Sequence, residues 1–236
     1  YDNSNSNVAI PETILDKTVS GIDSFAFSKN TTITSVTMPN TVTKVGDSAF
    51  ADATNLLSAK LSENCTDVGI CLFQGCTSLK SVDLNSKITL INAQMFYKCS
   101  SIESIVIPDT VNKIGNYAFS ECSSLKSVYI PSSVTEISRS AFRKTASVTI
   151  KGSYGSYAEE YAKANNIPFE GISAYDVGDV NMDGGINILD ATLVQKYVVG
   201  IVELSAEQKH LADYNNDGDI TVVDATEIQK FIVHLN

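Results

Sequence analysis

Every twenty-third position along about half of this chain is a phenylalanine: Phe27, Phe50, Phe73, Phe96, Phe119 and Phe142. Other apolar columns keep the same step. Ile22, Val45, Val68, Ile91, Ile114 and Ile137 form one, and Ile33, Leu56, Leu79, Ile102, Leu125 and Val148 form another. Met38, Leu61, Leu84, Ile107 and Ile130 form a third. A fixed period with no insertion makes each repeat one coil of a solenoid. A single coil cannot bury its apolar side, whereas stacked coils bury a continuous core. Within a coil, LKSVDL (Leu79–Leu84) alternates apolar and polar at Val82, Asp83 and Leu84, the period of a strand. Successive coils then pair these segments into a parallel sheet on one face.

Residues between the core positions of these strands point outward. One outward column is uniform: Ser35, Ser58, Ser81, Ser104 and Ser127. Its uniformity implies a structural need for a small residue between crowded strands. The next column, Thr37, Lys60, Asp83, Val106 and Tyr129, varies in charge and size. Such variation suits a recognition surface for a protein or polysaccharide ligand, and equally an unconstrained solvated surface.

The five cysteines (Cys65, Cys71, Cys76, Cys99 and Cys122) form no CxxC pair, and no histidine occurs before His210. Zinc is therefore not expected, and the odd count argues against a full disulfide framework. Cys76, Cys99 and Cys122 share one column and read as stacked, buried free thiols, with Cys65 and Cys71 packed in the same way. After the last coil comes GSYGSYAEEYAKANNIPFE. Ser156 followed by Glu159 makes a capping box for a short helix, Tyr157 and Tyr161 would face the last coil, and Pro168 stops any extension. Residues of about 150–170 thus supply the end cap that a solenoid core requires. The pattern IPDTVNKIGNYAFSECSSLKSVYIP (Ile107–Pro131) resembles bacterial leucine-rich repeats of the BspA-like type, over residues of about 10–150.

Charge divides the chain. Residues 1–171 carry 16 acidic and 14 basic side chains, whereas residues 172–236 carry 11 acidic and 3 basic. The acidity argues against a nucleic-acid partner, which needs a basic surface. No apolar run reaches the length of a membrane span.

The acidic segment holds two copies of one loop, DVNMDGGINILD (Asp179–Asp190) and DYNNDGDITVVD (Asp213–Asp224). A hard cation such as Ca²⁺ takes six to eight oxygens, and an EF-hand-like loop supplies them from positions 1, 3, 5, 7, 9 and 12 with Gly at 6. These positions are Asp179, Asn181, Asp183, the Gly185 carbonyl, Asn187 and Asp190 in the first loop. In the second they are Asp213, Asn215, Asp217, the Asp219 carbonyl, Thr221 and Asp224. Two Ca²⁺ ions are expected. Ile186 and Ile220 stand at position 8, where an apolar side chain ties the loops together. The exiting segments DATLVQKYVVG and DATEIQKFIVH have helical character, whereas FEGISAYDVG, entering the first loop, does not. SAEQKHLA between the loops is a short helix candidate with Ser205 as its cap.

Half an EF-hand, doubled, resembles the dockerin module of cellulosomal proteins. Over 22 aligned positions the two copies are identical at 11. The resemblance implies a cohesin partner on a scaffoldin, bound through loop positions 10 and 11 and the helix that follows. Carried over, the contact residues are Ile188, Leu189, Gln195 and Lys196 in copy one, and Val222, Val223, Gln229 and Lys230 in copy two. Many dockerins have hydroxyl residues at 10 and 11, so the aliphatic pairs leave the cohesin type open. By the residues alone, these pairs either close the small core or form an exposed patch for a partner.

The expected architecture is α+β: residues 1–171 form a leucine-rich-repeat solenoid with a helical cap, and residues 172–236 form a small all-α dockerin. No catalytic constellation is visible. The only histidines, His210 and His234, lie outside the repeats, so their serines and cysteines lack a histidine base. Trp is absent, which weakens a sugar-stacking platform, although ten Tyr remain. The expectation is a secreted, non-catalytic component of an extracellular cellulosome-type assembly of an anaerobic bacterium degrading plant polysaccharide. The rivals are part of a larger dockerin-bearing enzyme, a glycoside hydrolase or peptidase whose catalytic region lies outside this chain, and a cell-surface adhesion protein.

Overall fold

The computed structural model describes residues 6–145 and 147–233. Two compact units are present. One runs up to Gly152 and takes in Tyr157–Glu170; the other comprises Ser153–Ser156 and the chain from Gly171 onward.

The first unit is a β-solenoid. Each coil contributes a three-residue strand to a parallel sheet whose register follows the repeat, with Ser35 beside Ser58 beside Ser81, and Ser104 beside Ser127. A second row of two-residue strands is formed by Gly21–Ile22, Lys44–Val45 and Asp67–Val68, then by Leu90–Ile91, Lys113–Ile114 and Glu136–Ile137. The phenylalanine column lies inside as a continuous stack, with neighbouring ring centroids 5.2 to 5.8 Å apart. Parallel-displaced rings at this separation add to the burial itself. Phe50, Phe73, Phe96 and Phe119 are fully buried.

Beside the phenylalanines, two residues per coil adopt left-handed backbone. One column is Phe25, Ser48, Cys71, Gln94 and Tyr117; the other is Lys29, Asp52, Gly75, Lys98, Glu121 and Lys144. Only one of them is glycine, although this region disfavours other residues. The coil-to-coil hydrogen bonds these turns make over-determine the conformation. Cys76, Cys99 and Cys122 donate their thiols to the carbonyls of Phe50, Phe73 and Phe96, as expected for buried free thiols. Cys65 is buried too, but Cys71 is only half-buried and donates to Gln94 Oε1; its place in a left-handed turn keeps it out of the core.

The stack is not uniform. The strands Asn7–Ala9, Ser35–Thr37, Ser58–Lys60 and Ser81–Asp83 form one sheet, and a separate sheet starts with Ser104–Val106. The two-residue strands break at the same coil, between Asp67–Val68 and Leu90–Ile91. Ladder bonds such as Lys80 N–H to Leu57 O and Lys126 N–H to Glu103 O have no counterpart from Glu103 to Lys80. The turn side stays joined, with Phe73 N–H on Met95 O and Gly75 N–H on Tyr97 O.

The break coincides with a change in one glycine column. A Cβ on Gly46, Gly69 or Gly115 would sit 2.4, 2.4 or 2.8 Å from a backbone nitrogen of the preceding coil. Asn92 occupies that column at the break, and its side-chain amide takes Val68 O, the acceptor that Gly115 N–H finds in Ile91 O. The smaller Ser138 keeps its main-chain bond to Ile114 O.

Helix α1 (Tyr157–Ala164) closes the end of the solenoid. Tyr161 packs on Phe142 at 6.1 Å and donates its hydroxyl to Ser138 O. Burial pushes that phenol up to about 12. Tyr157, expected to face the same coil, stays 37 % exposed.

The second unit contains α2 (Ile188–Val198), α3 (Ala206–Ala212) and α4 (Val222–Ile232). The segment entering the first loop is not helical, and Ser205 caps α3 with Gln208 completing the box. α2 and α4 pack on each other around Val180, Ala191, Val194, Leu204, Ala212, Ala225 and Ile228. Ile186 and Ile220 pack against that core from the two loops. Among the described residues no helix is long and apolar enough to cross a membrane.

Candidate metal loops and docking surface

The two loops share one hydrogen-bond pattern, with Asp213 standing where Asp179 stands. Asp179 accepts from the N–H groups of Asp183 and Gly184, at 3.1 and 2.9 Å; Asp213 accepts from those of Asp217 and Gly218, both at 3.0 Å. Asn181 Oδ1 accepts from Asp183 N–H, and Asn215 Oδ1 from Asp217 N–H. Asp183 Oδ1 takes Gly185 N–H, and Asp217 Oδ1 takes Asp219 N–H. These successive turns wind the two loops in the same way. Gly184 and Gly218, at φ +94° and +92°, make the reversal that side chains resist.

Each loop ends in a helix cap. Asn187 and Thr221 cap α2 and α4, and Asp190 and Asp224 complete the capping boxes at the third helical position. Asp190 also accepts from Asn181 N–H, and Asp224 from Asn215 N–H, across the mouth of the loop. Both carboxylates are fully buried, and Asp179 is 2 % exposed. A buried carboxylate needs compensating hydrogen bonds or a cation. Here the N–H groups supply the first, and the first-turn acid sits favourably on the helix dipole.

The donor chemistry fits a hard cation, because every side chain at positions 1, 3, 5, 9 and 12 offers oxygen. A carboxylate oxygen holding one N–H retains acceptor capacity. Among the described residues no three His, Cys, Asp or Glu side chains form a metal-ready group. A shell here must therefore combine carboxylates with Asn, Thr and main-chain oxygens. The Gly185 carbonyl meanwhile accepts from Asn187 Nδ2.

Positions 10 and 11 do not enter the core. Ile188 and Leu189 are 54 % and 61 % exposed, and Val222 and Val223 are 58 % and 51 % exposed. The reason is geometric: position 12 turns inward at the third helical residue, so the two residues before it lie on the outer side of the first turn. Gln195, Lys196 and Lys230 are exposed and Gln229 is half-buried. Because α2 and α4 pack together, Ile188 of copy one lines a 350 Å³ groove with Gln229 and Lys230 of copy two. The structure thus brings residues of the two predicted contact sets side by side. His210 stacks on Tyr154 at 4.2 Å, and His234 lies outside the described residues.

On the solenoid, the variable outward column is interrupted. Thr37, Lys60 and Asp83 adjoin on one sheet, with Lys60 Nζ 3.5 Å from Asp83, and Val106 and Tyr129 adjoin on the next. The column is exposed apart from the half-buried Tyr129. Between Asp83 and Val106 lies a 560 Å³ cleft that also exposes part of Val82 and Leu84. Sequence reasoning missed this cleft, whose signal was Asn92 standing in a glycine column.

The BspA type leucine-rich-repeat region model matches residues 2–124 in six copies, and the dockerin type I domain model matches residues 177–233. No curated protein matches this chain. Among solved structures, a leucine-rich-repeat protein of T. pallidum shares 21% identity at a TM-score of 0.54, covering 72% of this chain and 87% of its own. A leucine-rich cell surface protein of Faecalibacterium prausnitzii shares 24% identity at 0.48, covering 63% of this chain and 48% of its own. The first likeness shows the fold. Both matched modules are non-catalytic, and dockerin type I domains bind calcium. The chain belongs to the BspA-type leucine-rich-repeat family and carries a type I dockerin module after its repeats.

Proposed function

We propose that this protein is a non-catalytic component of an extracellular assembly, attached by a calcium-loaded dockerin to a scaffoldin cohesin. The boundary we assign falls near residue 172, with the repeats and their cap before it. In this reading each loop holds one Ca²⁺, through Asp179, Asn181, Asp183, Gly185, Asn187 and Asp190 in the first and Asp213, Asn215, Asp217, Asp219, Thr221 and Asp224 in the second. The ion offsets the repulsion of the acids gathered in each loop. The protein supplies the rest: the N–H bonds hold the oxygens inward, and the caps start α2 and α4 at a fixed angle.

The observation that carries the docking reading is the exposure of Ile188, Leu189, Val222 and Val223 at equivalent places in both copies. Aliphatic pairs exposed at equivalent places in both copies support a surface that a partner covers. Gln195, Lys196, Gln229 and Lys230 form the polar rim of such a contact. The repeats then present a surface for a protein or polysaccharide, in the setting of plant polysaccharide breakdown. The test is a titration of the full chain against a panel of cohesins in calcium and in excess chelator. Binding in calcium and loss in chelator is the expected result; no binding to any cohesin in calcium sinks the docking reading.

A further inference from the structure

Each coil before the last donates main-chain N–H groups forward along the stack, among them those of the phenylalanine column and of the residue two places on. Phe119 N–H meets Ala141 O at 2.8 Å and Glu121 N–H meets Arg143 O at 3.0 Å, and the four preceding coils do the same from Phe27 and Lys29 onward. The last coil has no successor, because the chain enters α1 instead. Among the described residues the N–H groups of Phe142 and Lys144 meet no acceptor.

The chain's only two arginines flank these donors. Arg139 and Arg143 are exposed, and among the described residues neither guanidinium holds a carboxylate. That is unlike Lys44, Lys60, Lys113, Lys126, Lys144 and Lys151, which all do. Arg139, Arg143, Phe142, Tyr161, Asn165 and Asn166 line one 470 Å³ pocket beside the cap.

We propose that this pocket binds the carboxylate of an acidic saccharide, a hexuronate unit. The open N–H of Phe142, which lines the pocket, occupies a position that elsewhere in the stack binds a carbonyl oxygen, so it calls for an oxygen acceptor. Two guanidinium forks match a planar carboxylate in geometry as well as charge. Half-buried Ile167, with the edges of the buried Phe142 and Tyr161, offers an apolar wall for the C–H face of a sugar. The amides of Asn165 and Asn166 offer both donors and acceptors for its hydroxyls. Free phosphate would use the cations and leave the wall and amides unused. The volume suits one or two sugar units, and a long polyanion would be opposed by the net charge of −10. The proposal goes beyond the docking reading and shares no residue with it.

The test is calorimetric titration of the full chain, at one fixed free calcium concentration, with trigalacturonate, neutral galactotriose, inorganic phosphate and an Asp-rich peptide. Trigalacturonate is expected to bind and the other three to bind at least tenfold more weakly. Arg139→Gln and Arg143→Gln should each weaken trigalacturonate roughly tenfold. Arg139→Lys and Arg143→Lys should fall between these and the unaltered chain, since charge is kept and the fork is lost. Melting temperatures should not move, because both side chains are exposed. The proposal is overturned by absence of trigalacturonate binding at millimolar concentration, or by equal binding of galactotriose. Phosphate or the peptide binding as tightly, or full affinity in a folded double variant, would overturn it as well.

Discussion

In the solenoid, a phenylalanine at the same place in every coil stacks on its neighbours, and the core runs unbroken from Val8 to Ala162. In the helical unit the repeated element starts at Asp179 and again at Asp213, and its two copies enclose only seven buried residues in their central cluster. The first unit draws its stability from apolar area, and its charges lie on the rim as cross-coil pairs such as Lys113–Glu136. The second places buried acids at its centre of construction, Asp179, Asp190 and Asp224. Repetition in one unit therefore builds a core; in the other it builds two acidic loops, each of which we propose holds a Ca²⁺ that the fold depends on.

Chelation should separate the two most widely. Acids gathered without a cation repel, and binding free energy at such sites is folding free energy. Excess chelator is expected to abolish the α2 and α4 signals in an NMR spectrum of the full chain and to leave the strand amides of the repeats in place. A loss of both, or of neither, would remove the distinction.

Phe96→Ala should do the reverse. Phe96 is fully buried and stacked on both sides, so its truncation is expected to cost about 3–5 kcal/mol. Calorimetry should show the solenoid transition falling while the calcium-dependent transition stays. The thiol contribution to alkaline unfolding belongs to the repeats, because all five cysteines are there. Burial pushes the Cys76 and Cys122 thiols up to about 12 from an ordinary 9.0. The folded state thus keeps them neutral while the unfolded state releases their protons. Their contribution is complete below about pH 9 and is lost as pH rises toward 12, by about 1.4 kcal/mol per thiol per unit. Thiol reagents at pH 8 should label Cys71 first and Cys76, Cys99 and Cys122 only on unfolding. Prompt labelling of all five would refute buried thiols.

The same comparison explains what was legible in the sequence. The columns of Phe and Ile defined the coil because one period served every copy, and the loops were legible because position, residue type and duplication agreed. The left-handed turns at Lys29, Asp52, Lys98 and Glu121 were not, since the residues there share no chemistry that favours positive φ. The terminal pocket was not legible either. It arises from what the last coil lacks, and no residue pattern marks a missing neighbour. The exposure of Ile188 and Leu189 lay between these cases, because an apolar residue beside a helix start packs inward or outward according to the angle of the cap.

The smallest effect concerns the break inside the solenoid, where two junctions of one stack behave differently. At Gly115 the main-chain N–H bonds the previous coil at 2.8 Å; at Asn92 the side-chain amide has taken that role and both strand rows part. Asn92→Gly removes the Cβ and frees Val68 O for a backbone donor. It also opens the way to ladder bonds from Thr89, Glu103 and Leu84 like those made at neighbouring coils. Against bonds of about 0.5–1.5 kcal/mol each stand the lost Asn92–Val68 bond and the added chain entropy of glycine, about 0.5–1 kcal/mol. The net expectation is a stabilisation of about 1 kcal/mol, read as a rise of a few degrees in the solenoid melting temperature. Slowed hydrogen exchange at Leu84, Thr89 and Glu103 should accompany it. Unchanged exchange at these amides would mean that the side chain at 92 fills a gap whose cause lies elsewhere, and Asn85, which stands where Pro108 and Pro131 stand in later coils, becomes the residue to replace.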